Sequence, residues 1–415
     1  MKILAGLFCI VGVVAALRHT DPAASVPSIV LIGDHMGYLS PCGCTEPMSG
    51  GIQRQATIIQ SLQQQGNSLL LDTGGMVAGD DRQSVLKAET LGRVLGKLNV
   101  AGVNLTVDDA KLGPGELQNV FRLTRGRITS GSLESGAFPY QTAGEFLIAG
   151  ASAQPELLAG RLKEHGVELH DAVSKAVSAA ELDRKRLILM LDGDENQARD
   201  LASQFPTVAL IAYRSKGAPS PGLIRVGNVA LVTVGERGEY VVSLQLPAGG
   251  QPIYQIYDLK PNVPDDDNTS KIYRQYLSEI GSEKLWENRV RGNSLVFAGS
   301  QRCGDCHQKD YRIWHSSQHA GALKTLEHVG HELDPECLPC HTTGGDFVSG
   351  FRTAKSTPKF GNVGCEQCHG AGADHSRAPH KYPLKRIGAD VCLSCHKPLN
   401  SPNFDFDTYW AQIRH

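Results

Sequence analysis

The chain has 415 residues, with 41 Lys and Arg set against 43 Asp and Glu for a net charge of −2. That balance excludes a basic nucleic-acid surface and a strongly charged membrane partner. The length suits two domains, and the crowding of the eleven cysteines toward one end says that the two differ in kind.

From the N-terminus, Lys2 precedes a charge-free apolar run, Ile3 to Leu17, and Val14-Ala15-Ala16 offers small residues at which a signal peptidase cuts. Residues 1–24 therefore read as a signal peptide or N-terminal anchor, which places the protein in the periplasm or another extracytoplasmic compartment. The run falls short of the roughly 20 residues a span needs, so a membrane tether through this segment is the secondary expectation. Cys9 follows Phe8, which is too bulky for a lipoprotein cleavage signal.

Residues 26–246 alternate short apolar runs with helical periods. Ile29 to Ile32, Leu69 to Leu71, Leu187 to Leu191 and Val208 to Ala212 are bounded by Gly or Asp, as buried strands are. Ile52 to Gln64, Val85 to Leu98, Pro155 to His165 and Glu195 to Gln204 carry helical spacing. Val229 to Val234 and Tyr240 to Leu246, joined through Gly235-Glu236-Arg237-Gly238, predict a hairpin. The expected class is an α/β layered domain. Within it, Pro41-Cys42-Gly43-Cys44 places two thiols one residue apart. In an oxidising compartment Cys42 and Cys44 are a structural disulfide, a soft-metal site or a redox pair.

Residues 247–293 read as linker, rich in Gly and Pro up to Asp267, followed by a short helix around Ile272 to Ile280. Beyond them, eight cysteines form four pairs of one spacing, each followed by histidine: Cys303, Cys306, His307; Cys337, Cys340, His341; Cys365, Cys368, His369; Cys392, Cys395, His396. Chance would supply roughly 0.01 such motifs in a chain of this composition. Two thiols add to the vinyl groups of one haem while the adjacent imidazole reaches the iron, so the motifs predict four haem c groups. Zinc also uses Cys-x-x-Cys, but it gives no reason for a histidine after every second cysteine.

These residues carry two resemblances. From Ser28 to Leu246 the order of elements is similar to the metallophosphoesterase domain of 5′-nucleotidase-type proteins, in which strand ends supply Asp, His and Asn ligands to two metals. The resemblance implies that this chain has lost most of them. Asp34 survives, with Met36 in place of a histidine and His35 one residue early. Gly75 stands at the bridging aspartate after Asp72, residues 102–109 contain no Asn-His pair, and Asp192 lies near an expected histidine. Tyr213-Arg214-Ser215-Lys216 replaces the closing Gly-His-x-His. A thioether and a glycine do not hold a hard divalent ion, so a pseudo-phosphoesterase is expected. The Pro-Cys-Gly-Cys segment resembles that of an exported nucleotidase-like subgroup found beside multihaem cytochromes.

Residues 294–415 resemble the tetrahaem cytochrome c-554 family through Tyr311, Trp314, Ser317, His319-Ala320, His341-Thr342-Thr343-Gly344, Val363 to Gly370 and His375. The likeness implies a mainly α-helical tetrahaem cytochrome c domain whose haems stack in two close pairs. It also implies sixth ligands at His319, His375 and His415, with no protein ligand opposite His341, where His328 and His331 lie upstream. Taken together, the chain is expected to move electrons between redox partner proteins, with no catalytic residue of its own. The alternatives are an oxidoreductase acting on a small nitrogen or sulfur species at a five-coordinate haem, and a phosphohydrolase with a fused redox domain.

Overall fold

The computed structural model describes residues 26–41, 48–135, 139–247, 250–398 and 400–415. Residues 1–24 and the Cys42 and Cys44 pair lie outside the described residues. Among the described residues twelve strands form two six-stranded sheets. The first contains β1 (Ser28–Ile32), β2 (Ser68–Asp72), β3 (Gly102–Asn104), β4 (Ile128–Thr129), β11 (Tyr240–Gln245) and β12 (Ile253–Asp258), in the order β12-β11-β1-β2-β3-β4. The second contains β5 (Tyr140–Ala143), β6 (Phe146–Ser152), β7 (Arg186–Asp192), β8 (Leu210–Tyr213), β9 (Ile224–Val226) and β10 (Val229–Thr233), in the order β5-β6-β7-β8-β10-β9.

Strand alternation explains the layering. On β1, Val30 and Ile32 join the core beneath the helices α1 (Ile52–Gln64), α2 (Arg82–Lys97) and α3 (Pro114–Leu123), while Ile29 and Leu31 join the core between the sheets. On β7, Ile188 and Met190 face that same inter-sheet core. Leu187, Leu189 and Leu191 instead pack with residues of α5 (Leu169–Leu182) and α6 (Glu195–Gln204). Helix α4 (Pro155–Leu162) adds Leu158 and Leu162 to the first core. Both faces of both sheets are covered, so the central strands read as unbroken apolar runs.

Two expectations are corrected. The runs at 229–234 and 240–246 do not form a hairpin: β10 pairs with β8 and β9, whereas β11 pairs with β1 and β12. The connection crosses from one sheet to the other, and strands buried on both faces carry no pattern to announce that. The stretch read as linker also supplies structure. Residues 253–258 are β12, and α7 (Asp267–Ser282) runs well beyond the short helix expected, burying Tyr273, Tyr276 and Ile280 in the first core.

After α8 (Leu285–Asn288) the chain changes character. Helices α9 (Ser300–Gly304), α10 (Gln308–His315), α11 (Ala322–Val329), α12 (Leu338–His341), α13 (Cys365–His369), α14 (Ala373–Arg377), α15 (Ala389–Leu393) and α16 (Phe406–Ile413) span eight residues or fewer. Among the described residues their apolar core is a single cluster around Trp286, Phe297, Leu338, Phe351 and Phe360. Among the described residues no helix is long and apolar enough to cross a membrane.

Candidate functional site

Parallel strands open their binding crevice at the carboxyl ends, and here those ends are polar. Asp34 follows β1, Asp72 closes β2, Asn104 closes β3, Asp192 closes β7 and Arg214 follows β8. The loop after β1 holds Asp34 and Met36 at φ of 50° and 51°, a left-handed geometry that costs each residue about 1 kcal/mol or more. Bonds from Asp34 N to Gly74 O (2.7 Å) and from Met36 N to Gly75 O (2.8 Å) keep it there. The loop that crosses between the sheets closes over it, with Arg237 N donating to Asp34 O at 2.6 Å.

A guanidinium stands where the strand ends converge. Arg214 Nη2 donates to Asp34 Oδ1 at 2.6 Å, and Nη1 donates to Asp108 Oδ2 and Asp192 Oδ1 at 3.0 Å each. Gly75 makes the room, because a Cβ there would lie 2.7 Å from Asp34 Oδ1 and 3.3 Å from Arg214 Nη2. The glycine and the guanidinium are thus sterically matched. Burial disfavours the charge on Arg214, but Asp34 and Asp192 outweigh it and raise the pKa. Burial raises that of Asp34 against the pull of Arg214. At Asp108, burial is outweighed by Lys111 and Arg214, which leave the carboxyl below its ordinary value. His35 is fully buried, with Nε2 3.0 Å from Gln55 Oε1 and Nδ1 3.8 Å from Asp72 Oδ2. Among the described residues this crevice brings no three ligand atoms of His, Cys, Asp or Glu within 4.8 Å of one another.

In the C-terminal region each motif is a tight turn. Cys306 N and His307 N both bond to Cys303 O (3.2 and 2.9 Å), Cys395 N and His396 N bond to Cys392 O (3.2 and 2.9 Å), and Cys340 N bonds to Cys337 O (3.3 Å). Among the described residues no disulfide joins any of the eight motif cysteines. The Cys303 sulfur lies beside that of Cys365, and the Cys340 sulfur beside that of Cys395, so the first motif lies against the third and the second against the fourth.

The histidines fall into facing pairs. His307 and His375 have ring centroids 6.3 Å apart, His319 and His396 6.2 Å, and His369 and His415 5.8 Å. Two imidazoles sharing one iron through bonds of about 2 Å hold their centroids roughly 6 Å apart. The rings are also oriented through Nδ1. That atom lies 2.8 Å from Ala322 O in His341, 3.2 Å from Lys385 O in His369, 2.9 Å from Tyr382 O in His375 and 3.0 Å from Ile413 O in His415. A carbonyl acceptor fixes the proton on Nδ1 and leaves Nε2 as the donor to a metal. Burial, and then His396, lowers the pKa of His319 toward the neutral form a ligand needs. The residues present therefore fit haem.

His341 stands apart, since no histidine ring faces it among the described contacts. His331 is occupied elsewhere, with Nε2 3.1 Å from Tyr273 Oη and Nδ1 3.6 Å from Asp334 Oδ2 and 3.7 Å from Cys337 Sγ. His331, Asp334 and Cys337 place ligand atoms within 4.8 Å of one another, but a sulfur committed to a haem vinyl group offers no thiolate. Sequence reasoning did not foresee Glu366. Its buried carboxylate accepts from Ala298 N (2.8 Å), Gly299 N (2.6 Å) and Gly372 N (2.7 Å), tying the third motif to the approach to the first. Its place inside the variable pair of a Cys-x-x-Cys motif gave no signal.

Residues 302–370 match the family described as cytochrome c554 and c-prime. Cytochrome c-554 of Nitrosomonas europaea is 31% identical over 143 residues, covering 25% of this chain and 61% of that protein. The C-type polyheme cytochrome OmcB of Geobacter sulfurreducens is 32% identical over 89 residues, covering 20% of this chain and 12% of that one. The chain thus spans less than two thirds of either relative. The fold resembles the 5′-nucleotidase precursor of Thermus thermophilus, with a TM-score of 0.55, 16% identity and coverage of 74% of this chain and 68% of that one. It also resembles the sulfate thiohydrolase SoxB of Thermus thermophilus, with a TM-score of 0.53, 14% identity and coverage of 62% and 61%. The N-terminal unit therefore has the metallophosphoesterase-like fold, and the C-terminal region is of the multihaem c-type cytochrome kind, which binds haem covalently.

Proposed function

We propose that this protein is an exported cytochrome that passes electrons between redox partner proteins through four covalently attached haem c groups, and that its α/β unit has the phosphoesterase fold without the chemistry. The facing imidazole pairs carry the reading. Three pairs at 5.8 to 6.3 Å are what three irons with two histidines each require, and such irons exchange electrons with little change in structure. The α/β half of the reading is supported by Arg214, whose guanidinium neutralises the carboxylates that would otherwise take a cation.

Mass spectrometry of the matured protein is expected to show four haem additions, and electron paramagnetic resonance of the oxidised protein three low-spin irons and one high-spin iron. Three or fewer additions would sink the count, and four low-spin signals would mean that His341 has an axial partner. A second reading draws on His341 alone. An iron held from one side binds small ligands, which favours reduction or oxidation of a small nitrogen or sulfur species there. Steady turnover of such a species, lost when carbon monoxide occupies the ferrous high-spin haem, would promote that reading over simple transfer.

A further inference from the structure

Among the described residues, the side-chain bonds that reach from the α/β unit into the cytochrome region land on His331, Asp334 and Glu336, within the six residues before Cys337. Gln83 of α2 donates from Nε2 to Asp334 Oδ1 at 2.8 Å and sits 3.0 Å from Tyr276 Oη of α7. One helical turn on, the buried Lys87 holds Glu336 Oε1 at 2.5 Å. Asp334 is itself buried, and it begins the second motif: its Oδ1 accepts from Glu336 N (2.9 Å) and its carbonyl accepts from Cys337 N and Leu338 N (3.1 Å each). Tyr273 of α7 completes the contact through His331. This is also the motif whose His341 has no facing imidazole.

We propose that the α/β unit is the positioning and electrostatic wall of the second haem site, with Gln83 and Tyr273 fixing the turn that carries Cys337 and the charges of Asp334 and Lys87 setting the reduction potential of the haem held by Cys337, Cys340 and His341. This rests on the reading that the motif carries haem. A fixed anion in a low-dielectric surrounding stabilises the ferric state and a fixed cation the ferrous state. Asp334 is held ionised: burial disfavours its charge, but His331, Glu336 N and Gln83 outweigh burial and lower the pKa. The other three motifs receive no such bond from the α/β unit among the described residues, so the influence is local.

The test uses the full, haem-loaded chain with Asp334→Asn and Lys87→Gln, each close in shape to the residue replaced. In a spectroelectrochemical titration, one haem of the four is expected to move, the one whose ferric form is high spin. Asp334→Asn raises its potential and Lys87→Gln lowers it, each by roughly tenfold in the reduction equilibrium, about 59 mV for one electron. No change in that haem, an equal shift of all four, or a shift of the same sign in both variants would overturn the proposal. If Asp334→Asn does not mature, the sign in Lys87→Gln decides alone. A wild type with fewer than four haems or no high-spin iron would instead count against the reading under Proposed function.

Discussion

His415 shows how much one side chain carries. Its ring lies 5.8 Å from that of His369, with Nδ1 turned to Ile413 O. Deleting it should leave four haems attached and convert one iron from low to high spin, read by mass spectrometry and paramagnetic resonance together. Unchanged spin states would remove His415 from the ligand set. Arg214 is the matching residue of the α/β unit. Its removal leaves Asp34, Asp108 and Asp192 facing one another, so Arg214→Ala should cost about 3 kcal/mol in urea unfolding followed by far-ultraviolet circular dichroism. A cost below about 1 kcal/mol would mean that the three carboxylates need no cation.

At the scale of elements, the helices of the cytochrome region are too short to be stable alone, and they are joined by particular polar contacts. Glu366 links α13 to the segment entering α9 by taking three backbone N–H groups. Glu366→Gln turns an NH₂ group toward those donors. The variant should lose about 2 kcal/mol from the haem-region transition, read by Soret circular dichroism, with the far-ultraviolet signal of the α/β unit unaltered. Equal loss in both signals would show the two regions to be one cooperative unit. Helices α2 and α7 join them: Gln83 and Lys87 of α2 reach Asp334 and Glu336, while Tyr273 and Tyr276 of α7 lie in the core of the α/β unit and Tyr273 also reaches His331.

For the whole molecule, the two regions are stabilised in different ways. The α/β unit is a sandwich with three apolar layers between its sheets and helices, whereas the cytochrome region has a single small apolar cluster among the described residues. With manganese or zinc added, the full-length protein should hydrolyse no phosphate ester such as p-nitrophenyl phosphate, because the guanidinium of Arg214 is bonded to Asp34, Asp108 and Asp192 where the strand ends converge. Turnover that disappears on Asp34→Ala or Asp72→Ala would reverse that reading. The two regions meet where Gln83 and Lys87 of the sandwich reach the turn before Cys337.

The sequence by itself determined the attachment chemistry and the fold class. A thioether motif is local, a few residues of fixed spacing on one turn, and buried parallel strands declare themselves by unbroken apolar runs. The ends of α1 and α6 were legible for the same reason, since helical periodicity and capping act over a few residues. Tertiary structure decided what depends on residues far apart in the chain. Asp34 and Arg214 are 180 positions apart, and nothing near either one says that they meet. The pairing of β11 with β1 in place of β10, and the bonds from Gln83 and Lys87 to the turn before Cys337, are likewise long-range. Such contacts come from how layers pack, and packing becomes fixed only when the whole chain has closed around its cores.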